Sequence, residues 1–560
     1  MYEILIGGAI KKVIAELELP EVDFTLEHPK DLGHGDYATN IALIVGKKLG
    51  QNPIVLAGQF VKILKHKNIS GINEIKIAGP GFINFTLDRS IFIEQLKDAK
   101  KLGDKWGHVN DLKGQKILVE HSSPNLFKPF HIGHLMNNTI GEAIVGLARA
   151  SGAEVTTMSF PSDISLGTAK AIFVVLDKYG EDFEPTDVSI LGESYVEGTK
   201  RYEEDESIHA RVKEIADNLY AGINSSEFKI FKKCKDLNME YFENITTRLG
   251  SHFDSYIYES EAGEIGKEIV KKFTSKVFTE SEGAIVYIPE ESRKDINTAV
   301  FINSQGNPTY EAKDVGLMSM KFERYNPDKS IFITDNHQIP HFQIVLDAVS
   351  YINKDWQERS IHRTHGRMSF KGQKMSSRLG GVPLAEDVLD TVVGDIKEKN
   401  SNLGILEVEN IAISAIKFSV LRAMAGKDIN FDPETSLSFE GDSGPYLQYV
   451  TVRAGSLLTK GLNENINPDL SNPTTGTETL EKIIVRFPEV VSRSINEWAP
   501  HHVLVYLVDL AQYFNTWYGQ GKIIDENEEA TTYRLAIVES VKQTINNGLK
   551  IIGISTPEKM

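Results

Sequence analysis

An apolar run, Lys116-Ile117-Leu118-Val119-Glu120, is followed by a polar turn, Ser122-Ser123-Pro124-Asn125, and then by apolar residues at helical spacing over 135–150. Strand, proline-containing loop and amphipathic helix in that order read as the opening unit of a parallel α/β sheet. The alternation continues, with strand candidates at 117–121, 154–159, 298–302, 330–334 and 360–364, so the middle of the chain should fold as a doubly wound, Rossmann-type sheet. At the start of the first helix stands His131-Ile132-Gly133-His134. Free backbone N–H groups and the positive dipole end collect there and favour an anion. Gly133 leaves room for a flat base or ribose against the backbone. His131 and His134 project from neighbouring faces of one turn and could donate to the same phosphate. Nucleotide should sit at the carboxyl ends of the strands, near the point where strand order reverses.

Far downstream lies Lys374-Met375-Ser376-Ser377-Arg378, between Gly372 and Gly380-Gly381. A loop with a cation and two hydroxyls could clamp a polyphosphate and stabilise charge on a departing pyrophosphate. Each string alone is weak. Together they read as a divided nucleotide-binding site.

A chain of 560 residues should hold three or four domains, because single cores stop growing at about 250–300 residues. The single cysteine, Cys234, excludes a disulfide framework and a Cys-rich zinc site, and it points to a reducing compartment. No apolar run approaches the roughly 20 residues that span a bilayer, and the N-terminus lacks signal-peptide character. The expectation is a cytoplasmic protein without a membrane partner. A net charge of −17 counts against a general nucleic-acid binder, whose footprint is basic, but leaves room for a selective one with locally positive grooves.

Residues 1 to about 110 read as a separate α/β module, with helical patterns at 10–17, 37–49 and 53–64 and strand-like runs near Ile75-Lys76-Ile77-Ala78 and Phe82-Ile83-Asn84-Phe85. The α/β core occupies 111–385, interrupted by a helical, charged insertion at about 181–290. Beyond 385 strand signals vanish, and helical periodicity runs to the end of the chain, so 386–560 should be all-α.

The paired strings resemble the two signature motifs of class I aminoacyl-tRNA synthetases. Glu120-His121-Ser122-Ser123-Pro124-Asn125 with Lys128-Pro129, Gly79-Pro80-Gly81-Phe82-Ile83-Asn84, Gly444-Pro445-Tyr446-Leu447-Gln448-Tyr449 and the ending Gly553-Ile554-Ser555-Thr556-Pro557-Glu558-Lys559-Met560 narrow the resemblance to arginyl-tRNA synthetases. It implies an N-terminal additional domain that contacts the tRNA elbow, in which the Gly33-His34-Gly35-Asp36 string is typical. It also implies a catalytic Rossmann-type domain and an anticodon-binding helical bundle. ATP, L-arginine and tRNA are the implied partners, with Mg²⁺ carried by ATP rather than by a protein site. The implied form is a monomer that needs its tRNA before it activates arginine.

The resemblance implies catalytic roles for His131, His134 and Lys374, with Gly133, Met375, Ser376, Ser377 and Arg378 at the ATP. The family's commonest loop has a second lysine where Ser377 stands. Either Arg378 supplies that charge or Lys374 acts alone. A guanidinium wants carboxylates and an aromatic face. Glu259, Tyr310 and Asp314 match the family's guanidinium contacts, while Glu120, Asn125 and Gln338 match those of the amine and carboxylate. Tyr446, Tyr449, Arg453, Asn515, Trp517 and Tyr518 are the candidate tRNA contacts, by stacking or phosphate pairing. Where the family often shows an Asp-Trp-Gly-Thr-Gln string, this chain has Asp163-Ile164-Ser165-Leu166-Gly167-Thr168-Ala169-Lys170, without the tryptophan and glutamine. Three alternatives are a different class I synthetase, a small nucleotidyltransferase with the same histidine motif, and a non-catalytic tRNA-binding relative. The cysteinyl type would need more cysteines, the small transferase neither flanking region, and the non-catalytic relative no intact His131, His134 and Lys374.

Overall fold

The computed structural model describes residues 2–370, 383–399, 401–438, 441–525 and 529–557. Lys374, Met375, Ser376, Ser377 and Arg378 lie outside the described residues. The chain divides into two compact units.

One unit comprises Met1–Trp106, Arg453–Phe487 and Leu510–Thr544. Its strands β1 (Leu26–Glu27), β2 (Tyr37–Thr39), β3 (Ile72–Ala78) and β4 (Phe82–Leu87) form an antiparallel sheet in the order β1-β2-β4-β3. Residues 37–39, expected to begin a helix, are instead β2, because Tyr37 and Thr39 pair with Phe85 and Ile83; the helix is Ile41–Leu49. The next helix, Pro53–His66, starts where its sequence dictates. Pro53 occupies the first turn, where its missing N–H costs nothing, and Asn52 Oδ1 accepts from Ile54 N at 2.9 Å. Gly35 (φ 96°) passes so close to β4 that a Cβ would lie 2.8 Å from Phe85 O. Buried Asp36 accepts from Leu87 N at 2.8 Å and pairs with Lys482 at 2.8 Å. The Gly33-His34-Gly35-Asp36 string is thus a clasp inside this unit. Glu481, fully buried, gathers Arg89 at 2.7 Å, Thr477 Oγ1 at 2.7 Å and the Tyr533 hydroxyl at 2.9 Å. A buried carboxylate is tolerated only with such a full set of partners.

The other unit comprises Gly107–Val452, Pro488–Asp509 and Ile545–Met560. Its strands are β5 (Lys116–Glu120), β6 (Glu154–Ser159), β7 (Ser255–Tyr256), β8 (Phe278–Ser281), β9 (Ala284–Tyr287), β10 (Ala299–Ile302), β11 (Lys329–Asp335), β12 (Ser360–His365), β13 (Met368–Phe370) and β14 (Ile429–Phe431). The central sheet is parallel throughout, in the order β12-β11-β5-β6-β7. From β5 the chain moves to β6 on one side and later returns to β11 on the other. The carboxyl ends of β5 and β11 therefore flank the switch point.

The sheet differs from its sequence reading in three places. β10, expected among the parallel strands, pairs antiparallel with β9 in a separate sheet with β8. β7, not anticipated, adds the edge beside β6. β14, in a region read as all-helical, pairs with β13. Helices Val188–Glu204, His209–Tyr220 and Ser226–Arg248 fill the first part of the insertion, after which β7 rejoins the sheet. Beyond β7, the helices Glu259–Lys272 and Tyr310–Tyr325 cross in backbone contact. A Cβ on Gly266 would lie 1.8 Å from Ala312 O, and one on Gly316 1.9 Å from Ala262 O. Only glycine permits that approach, which sets Glu259 against the first turn of the partner helix.

Candidate active site

The turn after β5 is held in a costly shape. Ser122 (φ 56°) and Phe127 (φ 67°) occupy the left-handed region, at about 1–3 kcal/mol each for a non-glycine residue. Asn137, one turn beyond His134 on the helix Ile132–Ala150, fixes one end. It accepts from Ser122 N at 2.7 Å and donates to Ile333 O of β11 at 2.7 Å. Its amide also reaches His365 Nε2 of β12 at 3.4 Å; His365 Nδ1 bonds Gly366 O at 2.8 Å, so Nε2 is the acceptor. One asparagine thereby ties the turn to both neighbouring strands at the switch point. From the insertion, Asn238 Oδ1 accepts from Phe127 N at 2.5 Å.

The two histidines cap their own helix. His131 Nδ1 accepts from Gly133 N at 3.1 Å, and His134 Nδ1 accepts from His131 N at 3.2 Å. Their rings stack with centroids 3.8 Å apart and planes inclined by 16°. An Nδ1 that accepts carries no proton, so each neutral ring holds its proton on Nε2. Burial depresses His131's pKa, helped by the nearby charge of Lys128; burial pushes His134's well down, helped by His131, Lys128 and His365. The pair is therefore neutral near pH 7 and offers two Nε2–H donors at a helix N-terminus, with a lysine charge close by. The space beside Gly133 belongs to His131: a Cβ there would lie 2.9 Å from His131 Cε1. Glycine is needed for the ring to fold over the helix start. Residues 383–385 join the same place, with Ile132 N donating to Pro383 O at 3.1 Å and Ala385 N to Phe130 O at 2.9 Å.

A second group forms where the two crossing helices meet. Asn125, exposed, bridges to Ser162, and Ser162 Oγ donates to Glu259 Oε2 at 2.9 Å. Glu259 is buried and also bonds Lys313 Nζ at 2.9 Å. Burial pushes its carboxyl pKa up, with Lys313 opposing. The Lys313 ammonium lies 5.2 Å from the Tyr310 ring centroid, with Tyr310 itself 60% exposed. Asp314 Oδ2 is 2.5 Å from His341 Nε2, and Glu311 lies 3.6 Å from the other ring nitrogen. Burial works against the charge on His341, but the two carboxylates outweigh it and raise the pKa to about 9. Asp163 anchors this side: it accepts from Ser260 N at 3.0 Å, Ser260 Oγ at 2.8 Å and Lys235 Nζ at 2.8 Å. Its family position thus keeps a clear task, holding the start of the Glu259 helix, without the missing tryptophan and glutamine.

Glu120, at the end of β5, is buried and ion-paired with Lys321. Gln338 is exposed in the turn after β11. Among the tRNA candidates, Tyr446 is buried, 7% exposed, so its ring serves the core and has no face for a base; Tyr449 on the same helix is 37% exposed. Arg453 Nη1 donates to Asn515 Oδ1 at 2.7 Å, and its guanidinium lies 5.0 Å from the Tyr518 ring centroid. Trp517 is half-buried next to fully buried Phe514, their ring centroids 6.1 Å apart. Sequence reasoning missed Asn137, Lys313 and His341 as site residues and treated Lys128 only as part of a motif. Asn137 left one signal, a polar residue one turn past a histidine on an otherwise apolar face.

Comparison with known proteins matches the whole chain. Residues 97–432 match the family model described as tRNA synthetases class I (R), catalytic domain; residues 447–560 match a DALR anticodon binding domain, and residues 5–87 an arginyl tRNA synthetase N terminal domain. The arginine–tRNA ligase of Oenococcus oeni is 30% identical over 97% of both chains, and that of Clostridium kluyveri is 31% identical over 99% of both. The fold is that of Thermus thermophilus arginyl-tRNA synthetase, with TM-score 0.82 at 23% identity over 100% of both chains. A Plasmodium falciparum arginyl-tRNA synthetase superposes with TM-score 0.81 at 22% identity, over 100% of this chain and 98% of its own.

Proposed function

Because this chain belongs to the arginyl-tRNA synthetases of class I, we propose that the Nε2–H groups of His131 and His134 bind the α-phosphate of ATP and that Glu259, Tyr310 and Asp314 bind the arginine guanidinium. The enzyme activates arginine with ATP and charges tRNA with it. In the first step a carboxylate oxygen of arginine attacks the α-phosphorus in line, and the bond to the bridging oxygen breaks to release pyrophosphate. In the second, a hydroxyl of the tRNA's terminal ribose attacks the acyl carbon, the bond to the phosphate oxygen breaks, and AMP leaves.

The observation that carries this reading is the doubly capped turn. Backbone N–H groups hold both Nδ1 atoms, so both Nε2 protons are fixed before substrate arrives. Preorganised donors aimed at developing charge cost no reorganisation during reaction. Lys128 adds a nearby positive charge. Lys374, with Ser376, Ser377 and Arg378, serves the departing pyrophosphate; Pro383, nine residues further along the chain, bonds Ile132 beside the histidines, which supports the assignment. Met375 completes the ATP side, and Gly133 serves it indirectly by letting the His131 ring fold over the helix start. Glu120, Asn125 and Gln338 take the arginine amine and carboxylate. Tyr449, Arg453, Asn515, Trp517 and Tyr518 are the tRNA contacts. Mg²⁺ arrives with ATP, whose phosphate oxygens suit it. The working form is a monomer, and the chain's single cysteine, Cys234, free and buried, supports a reducing, cytoplasmic compartment. Among the described residues no helix is long and apolar enough to cross a membrane.

The test is a crystal structure with arginine and a non-hydrolysable ATP analogue. Both Nε2 atoms within hydrogen-bond distance of the α-phosphate, and the guanidinium on Glu259 and Asp314, is the expected result. A phosphate bound away from the histidines would overturn it.

A further inference from the structure

Each carboxylate assigned to the guanidinium already holds a cation of this chain. Lys313 Nζ sits 2.9 Å from Glu259, in front of the Tyr310 ring at 5.2 Å and the Tyr220 ring at 5.9 Å. That is a carboxylate and an aromatic face, the environment a guanidinium seeks. The Lys313 side chain is 7% exposed, so its charge is committed to this pocket. Asp314 is held in the same way by His341 at 2.5 Å.

The geometry points to Lys313 as an internal competitor: its ammonium occupies the guanidinium place on Glu259 and Tyr310, and arginine binds by displacing it. This rests on the reading of Glu259 as a guanidinium ligand. The exchange makes Lys313 an affinity-determining residue, setting a threshold that every cationic ligand of this pocket must exceed. A free lysine would replace one ammonium by another, with the same point charge and the same three donors, and would gain nothing at Glu259. Arginine brings a planar fork that bonds a carboxylate in two places, reaches Asp314 as well and stacks on Tyr310. Net binding follows from what arginine adds beyond the resident lysine.

The test compares wild type, Lys313→Met, Lys313→Arg and Glu259→Gln by titration calorimetry with arginine and with lysine at one pH, with thermal unfolding of each variant. In Lys313→Met the preference for arginine over lysine should stay close to that of wild type, because both ligands displace the same resident ammonium in wild type and neither does in the variant. Any cost of ionising Glu259 is common to both ligands and cancels in that ratio. Lys313→Arg keeps the charge and the fold but installs a stronger competitor, so arginine should bind more weakly than to wild type. A preference that falls about tenfold or more in folded Lys313→Met, or unchanged arginine affinity in Lys313→Arg, overturns the proposal. Arginine binding that survives Glu259→Gln undiminished overturns instead the pocket assignment beneath it.

Discussion

His134 performs two separable tasks, one with each ring nitrogen, and His134→Asn separates them. Asparagine Oδ1 stands where Nδ1 stands, so it can still accept from His131 N, now 3.2 Å from the ring. It has nothing at the Nε2 position. Losing one preorganised donor to developing charge lowers kcat by about 10²–10³, while the retained cap should hold stability near wild type. His134→Ala removes the acceptor too. It leaves the His131 N–H unsatisfied at a partly buried helix start, at about 1–3 kcal/mol. The two variants should therefore share the kinetic defect and differ in stability. Rapid-quench measurement of adenylate formation with saturating tRNA gives the first quantity, and urea unfolding the second. ATP affinity should change much less than kcat, because the donor acts on charge that grows in the transition state. A His134→Asn enzyme with normal kcat would refute the donor role. Equal stability losses in both variants would refute the capping role.

Lys374→Ala should lower kcat for adenylate formation by about 10²–10³ with little change in ATP affinity, and unchanged kcat in the same quench experiment would remove this lysine from the chemistry. Asp314→Asn should weaken arginine by about 2–5 kcal/mol, as expected when one partner of a desolvated charge pair is lost, with KM for ATP near normal; equal arginine affinity would place Asp314 outside the pocket. His341 has a pKa raised to about 9 from an ordinary value near 6.5, so its charge stabilises the fold fully below about pH 6.5 and fades as pH rises through about 9. The melting-temperature gap between wild type and His341→Gln should accordingly be wide at pH 6 and narrow by pH 10, and a constant gap contradicts the pairing with Asp314 and Glu311.

The parts of the site that the sequence made legible are local ones. The strand, the turn with Pro124 and the helix after His131 lie consecutively, and residue spacing alone places the histidines at a helix start. The tautomers were not legible, because they follow from which backbone N–H each Nδ1 meets. β7 escaped notice because only two residues pair, too few to show alternation. β10 was assigned to the wrong sheet because a four-residue apolar strand looks the same in a parallel sheet and in a hairpin. Tyr310 and Asp314 share a face by spacing, but the cations on Glu259 and Asp314 come from tertiary packing. Lys313 meets Glu259 only because Gly266 and Gly316 let two helices touch, and His341 reaches Asp314 from the next helix, Ile339–Ile352. The burial of Tyr446, beside an exposed Tyr449, is likewise a matter of which face of one helix meets the core.

The central claim is that this fold selects arginine and esterifies it to tRNA. Pyrophosphate exchange and tRNA charging, each run with all twenty amino acids and with and without a tRNA bearing an arginine anticodon, test it in one set of assays. Exchange and charging with arginine alone, and exchange only when tRNA is present, is the result the account predicts. Activity with another amino acid in place of arginine, or none with any, would contradict it.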